Sequence, residues 1–312
     1  MSISMTLVGG GGSTGTHLLA SILHNMHDIR VAPEIHITHH AAFYEDARFR
    51  RSLFRSLIGD NERIITRTAS GAKYELLPSR VLDNKPAYGI EPDNLFDLFE
   101  ESGCFADFVR AIKRRAAAKY AWPADFRWFE HSPRNSICIK QFLTRFPEER
   151  FVHLVRDGRD AMTSQAQRFR NKAFPGLPLQ EALHISVDLW ILLQNGALQA
   201  ESHPGYLRIR YEDLVREPVA TTNRVLTHLG YPPVSEGEFE RARAQAGPEL
   251  GFTKQDGWRN DLRGPINTSS IGRWQAELAA GDLAFLAQAR RAFPMYPKTL
   301  GFQELQRYFG YE

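Results

Sequence analysis

Residues 5–17 read MTLVGGGGSTGTH, and they predict a strand, a glycine loop and the start of a helix. Residues 5–8 are an apolar run of the kind that forms a buried strand, and the glycines after it end that strand. From Gly15 onward the apolar residues recur at helical spacing, at Leu18, Leu19, Ile22 and Leu23. This order opens many α/β phosphate-binding folds, because the free N–H groups at a helix N-terminus attract anions.

The rest of the chain alternates predicted strands with predicted helices. The strands lie at 126–129, 151–155 and 206–210, and the helices at 136–146, 156–169, 179–201 and 212–229. Residues 93–119 form one helix or two helices broken at Gly103, and residues 230–273 are predicted to be irregular. Such alternation predicts an α/β fold with a parallel sheet of about five strands, flanked by helices. We expect one domain over residues 1–312, with residues 35–125 forming an α-helical cap.

The loop at residues 10–17 has the Gly-x4-Gly outline of a nucleoside triphosphate loop but lacks its cation. That loop needs Lys and then Ser or Thr after the second glycine, to hold the outer phosphates and magnesium. Thr16 and His17 occupy those positions. The loop is therefore predicted to bind an anion through backbone N–H groups without holding Mg-ATP. The alternative is a plain glycine turn.

Arg156 follows the predicted strand at 151–155, and Ser164 lies eight residues further along the next helix. The guanidinium of Arg is a charged, bidentate hydrogen-bond donor and the hydroxyl of Ser is a neutral donor, so the two side chains can hold one phosphate from two sides. The alternative is an ordinary ion pair between Arg156 and Asp157, with Ser164 merely exposed.

Five ordered segments give the chain a resemblance to the sulfotransferases that use 3′-phosphoadenosine-5′-phosphosulfate. Residues 12–16 (GSTGT) and 155–164 (VRDGRDAMTS) are similar to the two signature segments of that family. Residues 130–135 (EHSPRN) resemble its Glu-Lys-Thr-Pro-Arg-Asn segment, 210–218 (RYEDLVREP) its Tyr-Glu-Asp-Leu…Pro segment, and 270–274 (SIGRW) its C-terminal Gly-Arg/Lys-Trp segment.

The resemblance implies a P-loop-like sulfotransferase fold and a set of donor-binding residues. The first segment would cradle the 5′-phosphosulfate, and Arg156 with Ser164 would bind the 3′-phosphate. The full implied set is Gly12, Ser13, Thr14, Gly15, Thr16, His17, Arg156, Ser164, Tyr211, Ser270 and Arg273. No metal is expected for this transfer.

The chain departs from the family at the reacting atoms. The family usually has Arg or Lys where this chain has Ser13, and often Lys where it has His131. Negative charge develops on the oxygen that leaves sulfur, and fixed donors there supply much of the catalysis. Either protonated His131, His17, Arg134 or an arginine of residues 35–125 replaces the missing charge, or the enzyme is slow or inactive. A purely structural hydrogen bond is the alternative role for His131.

Glu34 follows the glycine loop at the distance where tyrosylprotein-type sulfotransferases carry a general-base Glu. A carboxylate beside an acceptor hydroxyl suits that role. The alternative is a Glu that begins a helix after Pro33. Nearby, His36 and His40 would share a face on a helix, but no third ligand is apparent, so no metal site is predicted there.

Composition excludes several classes of protein. The formal net charge is only +3, which argues against a nucleic-acid-binding protein. Two cysteines, Cys104 and Cys138, are too few for a disulfide framework and lack metal-type spacing, which favours the cytoplasm. No apolar stretch is long enough for a membrane span.

The sequence therefore predicts a cytoplasmic sulfotransferase that moves a sulfuryl group to a hydroxyl or amine of a small-molecule, glycan or peptide acceptor. Glu34 and His131 are the predicted catalytic residues. The alternatives are a P-loop kinase of a small molecule and a catalytically weak nucleotide-binding protein on the same fold. The sequence carries no signal for an oligomeric state.

Overall fold

The computed structural model describes residues 2–44, 65–67, 73–75, 85–90, 94–173, 175–245 and 264–312. Its seven strands, in chain order, are β1 Met5–Gly10, β2 Ile29–Arg30, β3 Ile65–Arg67, β4 Lys73–Glu75, β5 Arg127–Glu130, β6 Arg150–Val155 and β7 Tyr206–Arg210. Five of these strands form one parallel sheet in the order β2-β5-β1-β6-β7. The strands β3 and β4 pair with each other, antiparallel.

Twelve α-helices lie in the described residues. They are α1 Thr16–Leu23, α2 Asn94–Glu100, α3 Phe105–Tyr120, α4 Ile139–Arg145, α5 Gly158–Arg168, α6 Leu179–Leu198, α7 Tyr211–Arg216, α8 Pro218–Leu229, α9 Glu236–Ala244, α10 Trp274–Glu277, α11 Ala280–Gln288 and α12 Phe302–Tyr308. Short turns of other helix types cover Ala41–Tyr44, Lys85–Tyr88, Pro133–Ser136 and Phe169–Ala173.

The strand β1 is the centre of the sheet. All six of its residues are buried, as expected for a parallel strand covered on both faces. Its start is held by Glu149, whose carboxylate accepts the N–H groups of Ile3 at 2.7 Å and Met5 at 2.9 Å. A charged hydrogen bond of this kind is stronger than a neutral one, so the buried carboxylate fixes where β1 begins.

The parallel arrangement brings the carboxyl ends of all five strands to one edge. The segments that leave this edge begin at Val31 after β2, His131 after β5, Gly11 after β1, Arg156 after β6 and Tyr211 after β7. Ligands of α/β proteins bind at this edge of the sheet. The strand order therefore determines which of these segments are neighbours in a site at this edge.

The predicted strands are confirmed within two residues, whereas two predicted helices and one segment predicted to be irregular need correction. One helix was expected over 212–229, but Pro218, which lacks an N–H donor, begins a second helix there. Residues 133–136 form a separate turn, so the helix expected from 136 begins at Ile139. The helix α9 lies where irregular structure was expected.

Two open points of the sequence analysis are also answered by the structure. The stretch 93–119 contains two helices, α2 and α3, which are separated on either side of Gly103. Cys104 and Cys138 are both free thiols.

Candidate active site

The glycine loop joins β1 to α1 and is fixed by hydrogen bonds at both ends. The N–H of Gly10 donates to Ser136 Oγ at 2.9 Å, and Thr14 Oγ1 donates to the Gly11 carbonyl at 2.8 Å. Among the residues that the structure describes, no side chain caps the N-terminus of α1. The first-turn N–H groups of a helix without such a cap suit an anion.

Gly15 shows why this loop needs glycine. Its φ is +96°, a left-handed conformation that other residues adopt only at an energetic cost. A Cβ atom at this position would also lie 2.5 Å from Cδ2 of Tyr211. Glycine therefore permits both the backbone turn and the close packing of Tyr211 against the loop.

Arg156 connects the loop to the C-terminal part of the chain. Its Nη1 donates to the Ser13 carbonyl at 2.8 Å, and its Nη2 donates to the Ser270 carbonyl at 2.6 Å. The guanidinium lies 4.5 Å from the ring centre of Tyr211, whose hydroxyl is 2.6 Å from Ser270 Oγ. The Nε of Arg156 is buried without a hydrogen-bond partner among the residues that the structure describes.

The alternative role for Arg156, an ion pair with Asp157, is not the arrangement observed. Asp157 pairs with Arg159 instead, with 2.7 Å between Oδ2 and Nη2. Asp157 also caps the N-terminus of α5 through the N–H of Arg159. The carboxylate next to Arg156 is thus used in starting the helix that carries Ser164, which is half-buried.

The segment 270–274 is attached to α5 by Asp160. The two oxygens of this buried carboxylate accept the N–H of Gly272 at 2.7 Å and the N–H of Trp274 at 3.0 Å. Arg159 lies over the Trp274 ring at 4.1 Å. Arg273, predicted to bind the donor, directs its guanidinium to Glu277, with Nη2 and Oε1 2.8 Å apart.

Ser13, which replaces the usual cation, bonds to a residue that the sequence analysis missed. Its Oγ donates to Gln165 Oε1 at 3.0 Å, and Gln165 lies beside Ser164 on α5. The loop and α5 therefore meet at the hydrogen bond between Ser13 and Gln165 as well as through Arg156.

Glu34 and His131, the two predicted catalytic residues, both lie beside His17. Glu34 Oε1 is 3.4 Å from His17 Nε2, and the His17 and His131 rings are 4.8 Å apart in an edge-to-face arrangement. Glu34 Oε2 is 3.2 Å from His36 Nε2. Sequence reasoning placed His17 in the loop and among the groups that could replace the missing cation, but it did not connect His17 or His36 with Glu34.

The helical readings of residues 31–40 are wrong. No helix covers these residues, so Glu34 does not begin a helix and His36 does not share a helical face with His40. His36 has a φ of +54°. That turn brings its ring back to Glu34.

The surroundings of Glu34 favour its ionised form. Burial alone raises the pKa of this carboxyl, but the hydrogen bond from His36 and the charges of His17, His36 and His131 together lower the pKa well below its ordinary value. Burial lowers the pKa of His36 to about 4, so His36 is neutral at pH 7 and donates Nε2–H to Glu34. An ionised, hydrogen-bonded carboxylate at this position can accept a proton.

Glu130 and Asn135 support the turn that carries His131. Asn135 Nδ2 donates to the carbonyls of Val8 at 2.9 Å and Glu130 at 3.0 Å, which ties the ends of β1 and β5 together. Burial raises the pKa of Glu130 to about 7, partly offset by hydrogen bonds from Ser132 and Asn135. The position of His131 thus depends on a buried polar network.

A profile of the sulfotransferase family matches residues 6–236, which include the whole five-stranded sheet apart from Met5, the first residue of β1. The chain belongs to the sulfotransferase family. Within the family, the chain is 30% identical over 118 residues to the omega-hydroxy-beta-dihydromenaquinone-9 sulfotransferases Stf3 of Mycobacterium bovis and Mycobacterium tuberculosis. This match covers 35% of the chain and 29% of the length of each relative.

Two solved sulfotransferase domains share the fold over almost the whole chain. The domain from the Synechococcus PCC 7002 olefin synthase has a TM-score of 0.62 at 15% identity, covering 99% of this chain and 94% of that one. The domain from the curacin biosynthetic pathway has a TM-score of 0.55 at 13% identity, covering 99% and 97%. These likenesses confirm the α/β sulfotransferase fold.

Within the described residues, none of the helices combines the length and apolar character that crossing a membrane requires.

Proposed function

We propose that this chain transfers a sulfuryl group from 3′-phosphoadenosine-5′-phosphosulfate to an acceptor hydroxyl or amine. The observation that carries the proposal is the position of Arg156. Its guanidinium joins the glycine loop to residue 270 at the carboxyl edge of the sheet. Its buried Nε has no partner among the described residues. Because a buried donor without a partner is costly, an anion that accepts from Nε would stabilise this arrangement.

The donor would lie along the loop. Backbone N–H groups of Gly12 to Thr16 and the start of α1 would hold the phosphosulfate, while Arg156 and Ser164 would hold the 3′-phosphate. The loop lacks the lysine and the adjacent hydroxyl that Mg-ATP needs. We therefore expect the donor product, adenosine 3′,5′-bisphosphate, to bind equally well with magnesium and with a chelator.

The transfer would be an in-line displacement in which positioning supplies much of the rate. Glu34 takes the proton from the acceptor hydroxyl as its oxygen bonds to sulfur. The bond between sulfur and the bridging phosphate oxygen breaks, and adenosine 3′,5′-bisphosphate leaves with that electron pair. His131, when protonated, stabilises the leaving oxygen at the position where the family often has a lysine. The half-buried His17 lies beside both groups.

The acceptor is a small molecule, a glycan or a peptide, and the cap within residues 35–125 would bind it. The mycobacterial relatives are named for an omega-hydroxy menaquinone derivative, which is consistent with a hydroxyl acceptor. We include in the proposal a single domain over residues 1–312 and a cytoplasmic location. Two free cysteines suit a reducing compartment.

Incubation with the sulfated donor and a panel of alcohols, phenols, amines and glycans tests the proposal. We expect mass spectrometry to detect a sulfated product together with an equal amount of adenosine 3′,5′-bisphosphate. Phosphorylated products formed from ATP would instead support the kinase alternative. Tight binding of adenosine 3′,5′-bisphosphate without turnover on any acceptor would support a nucleotide-binding protein without sulfotransferase activity.

A further inference from the structure

Three potential metal ligands meet at the edge of the sheet, and each comes from a different strand. His17 follows β1, Glu34 follows β2 and His131 follows β5. One ligand atom from each side chain lies within 4.8 Å of the ligand atoms of the other two. Glu34 and His131 are buried, and His17 is half-buried at the open side of the cluster.

The distances suit a small transition metal ion. Zinc bonds to nitrogen and oxygen ligands are about 2.0–2.1 Å long, so two ligands of a tetrahedral site lie about 3.3 Å apart. The 3.4 Å between His17 Nε2 and Glu34 Oε1 has that value. The ligand atom of His131 lies at most 4.8 Å from those of His17 and Glu34. It would therefore have to move by at most about 1.5 Å to reach the tetrahedral spacing, and a side-chain rotation supplies a shift of that size.

The carboxylate is also oriented as a metal ligand should be. His36 Nε2 is 3.2 Å from Glu34 Oε2, the other oxygen of the same carboxylate. Ligating carboxylates are commonly hydrogen-bonded in this way, which fixes the oxygen that faces the metal. Here the other oxygen, Oε1, is the one that faces His17.

We propose that His17, Glu34 and His131 form a site for a zinc-type divalent ion, with a fourth position open to water or an anion. Two imidazoles and one carboxylate are a donor set found in open zinc sites, and imidazole favours such ions over magnesium. A bound ion occupies the lone pair of Glu34 that would accept the acceptor's proton. Zinc is therefore an inhibitor of the transfer and not a cofactor. The inhibition rests on the proposed function, whereas the binding of zinc to the three side chains does not.

Calorimetric titration with ZnCl₂, without donor or acceptor, tests the binding. We expect one zinc ion per chain and no binding of MgCl₂ at the same concentration. His17→Gln and His131→Gln should each weaken zinc binding at least tenfold. The matched control is His27→Gln, which removes an exposed histidine stacked on Tyr231, and it should leave the affinity unchanged. No saturable binding, or equal affinity in His17→Gln and the wild type, overturns the site.

Cobalt supplies a test that does not depend on whether the variants fold. Co²⁺ in a four-coordinate site absorbs visible light strongly, so the folded wild-type protein should become coloured at one equivalent, and Zn²⁺ should remove the colour. An uncoloured protein overturns the proposal. If zinc binds but no acceptor is ever sulfated, the metal site stands and the proposed function fails. If transfer occurs and zinc neither binds nor inhibits, the proposed function stands and the metal site fails.

Discussion

The two halves of the sheet edge are built from different kinds of contact. In the donor half, which follows β1, β6 and β7, Arg156 bonds to main-chain carbonyls of Ser13 and Ser270. In the proton half, which follows β2 and β5 and includes His17 of α1, ionisable side chains contact one another, with Glu34 between His17 and His36. The guanidinium of Arg156 binds backbone carbonyls, whose charge does not change with pH, whereas the contacts of the proton half join groups that titrate.

This difference separates two functions that can be broken independently. Backbone N–H groups and an arginine suit a phosphate that must be held at any pH, because arginine stays protonated in proteins. A carboxylate with neighbouring imidazoles suits a proton that must move. Damage to the donor half should therefore change nucleotide affinity, and damage to the proton half should change turnover.

The largest expected effect comes from Glu34→Gln. Glutamine preserves the size of the side chain but cannot take the acceptor's proton, so turnover should fall by roughly 10²-fold or more, the usual scale for a positioned base. The affinity for adenosine 3′,5′-bisphosphate should stay within about twofold, because no phosphate contact is lost. Steady-state rates and calorimetry measure the two quantities separately.

Glu148→Gln is the matched control, since Glu148 is an exposed carboxylate outside the site. Its turnover should equal that of the wild type. Full activity in Glu34→Gln would show that Glu34 takes no part in the reaction. The two halves of the sheet edge would then not have separate functions.

Gly15→Ala should destabilise the protein through the donor half. The left-handed backbone costs about 1–2 kcal/mol for alanine, and the Cβ would press on Tyr211 at 2.5 Å. We expect the free energy of unfolding to fall by about 2 kcal/mol in urea denaturation. In Gly281→Ala a Cβ meets no atom within 4 Å, and the helix should gain up to about 1 kcal/mol. Equal changes in both variants would show that the loop is not tightly packed.

His131→Lys should change the pH dependence more than the maximal rate. The wild-type rate should fall at low pH as Glu34 is protonated, and this limb lies below the usual carboxyl range because the pKa of Glu34 is lowered. The rate should also fall above neutrality, where an imidazole loses its proton. Lysine stays charged there, so the variant should retain activity and lose the basic limb. An inactive His131→Lys beside an active Glu34→Gln would make His131 the base.

The glycine loop and the position of Arg156 at a strand end could be predicted from the sequence because both follow from local motifs, whereas their role in donor binding stays a prediction. Long apolar runs mark β1 and β6, and Arg156 comes directly after one of them. The sequence indicates Glu34 and His131 individually but not that they lie together, because that closeness depends on the pairing of β2 with β5. At two residues, β2 is too short to show periodicity. The helix α9 was missed despite a capping signal, Ser235 followed by Glu238 three residues later.

The most direct test of the donor half, and of the donor's identity, is a calorimetric comparison of two nucleotides on wild type and Arg156→Ala. Loss of a charged hydrogen bond costs about 1.5–3 kcal/mol, so adenosine 3′,5′-bisphosphate should bind at least tenfold more weakly to the variant. Adenosine 5′-phosphate has no 3′-phosphate, so it should bind the wild type and Arg156→Ala about equally. The control variant Arg290→Ala removes an exposed arginine and should change the affinity for neither nucleotide. Equal losses for the two nucleotides in Arg156→Ala would contradict the account.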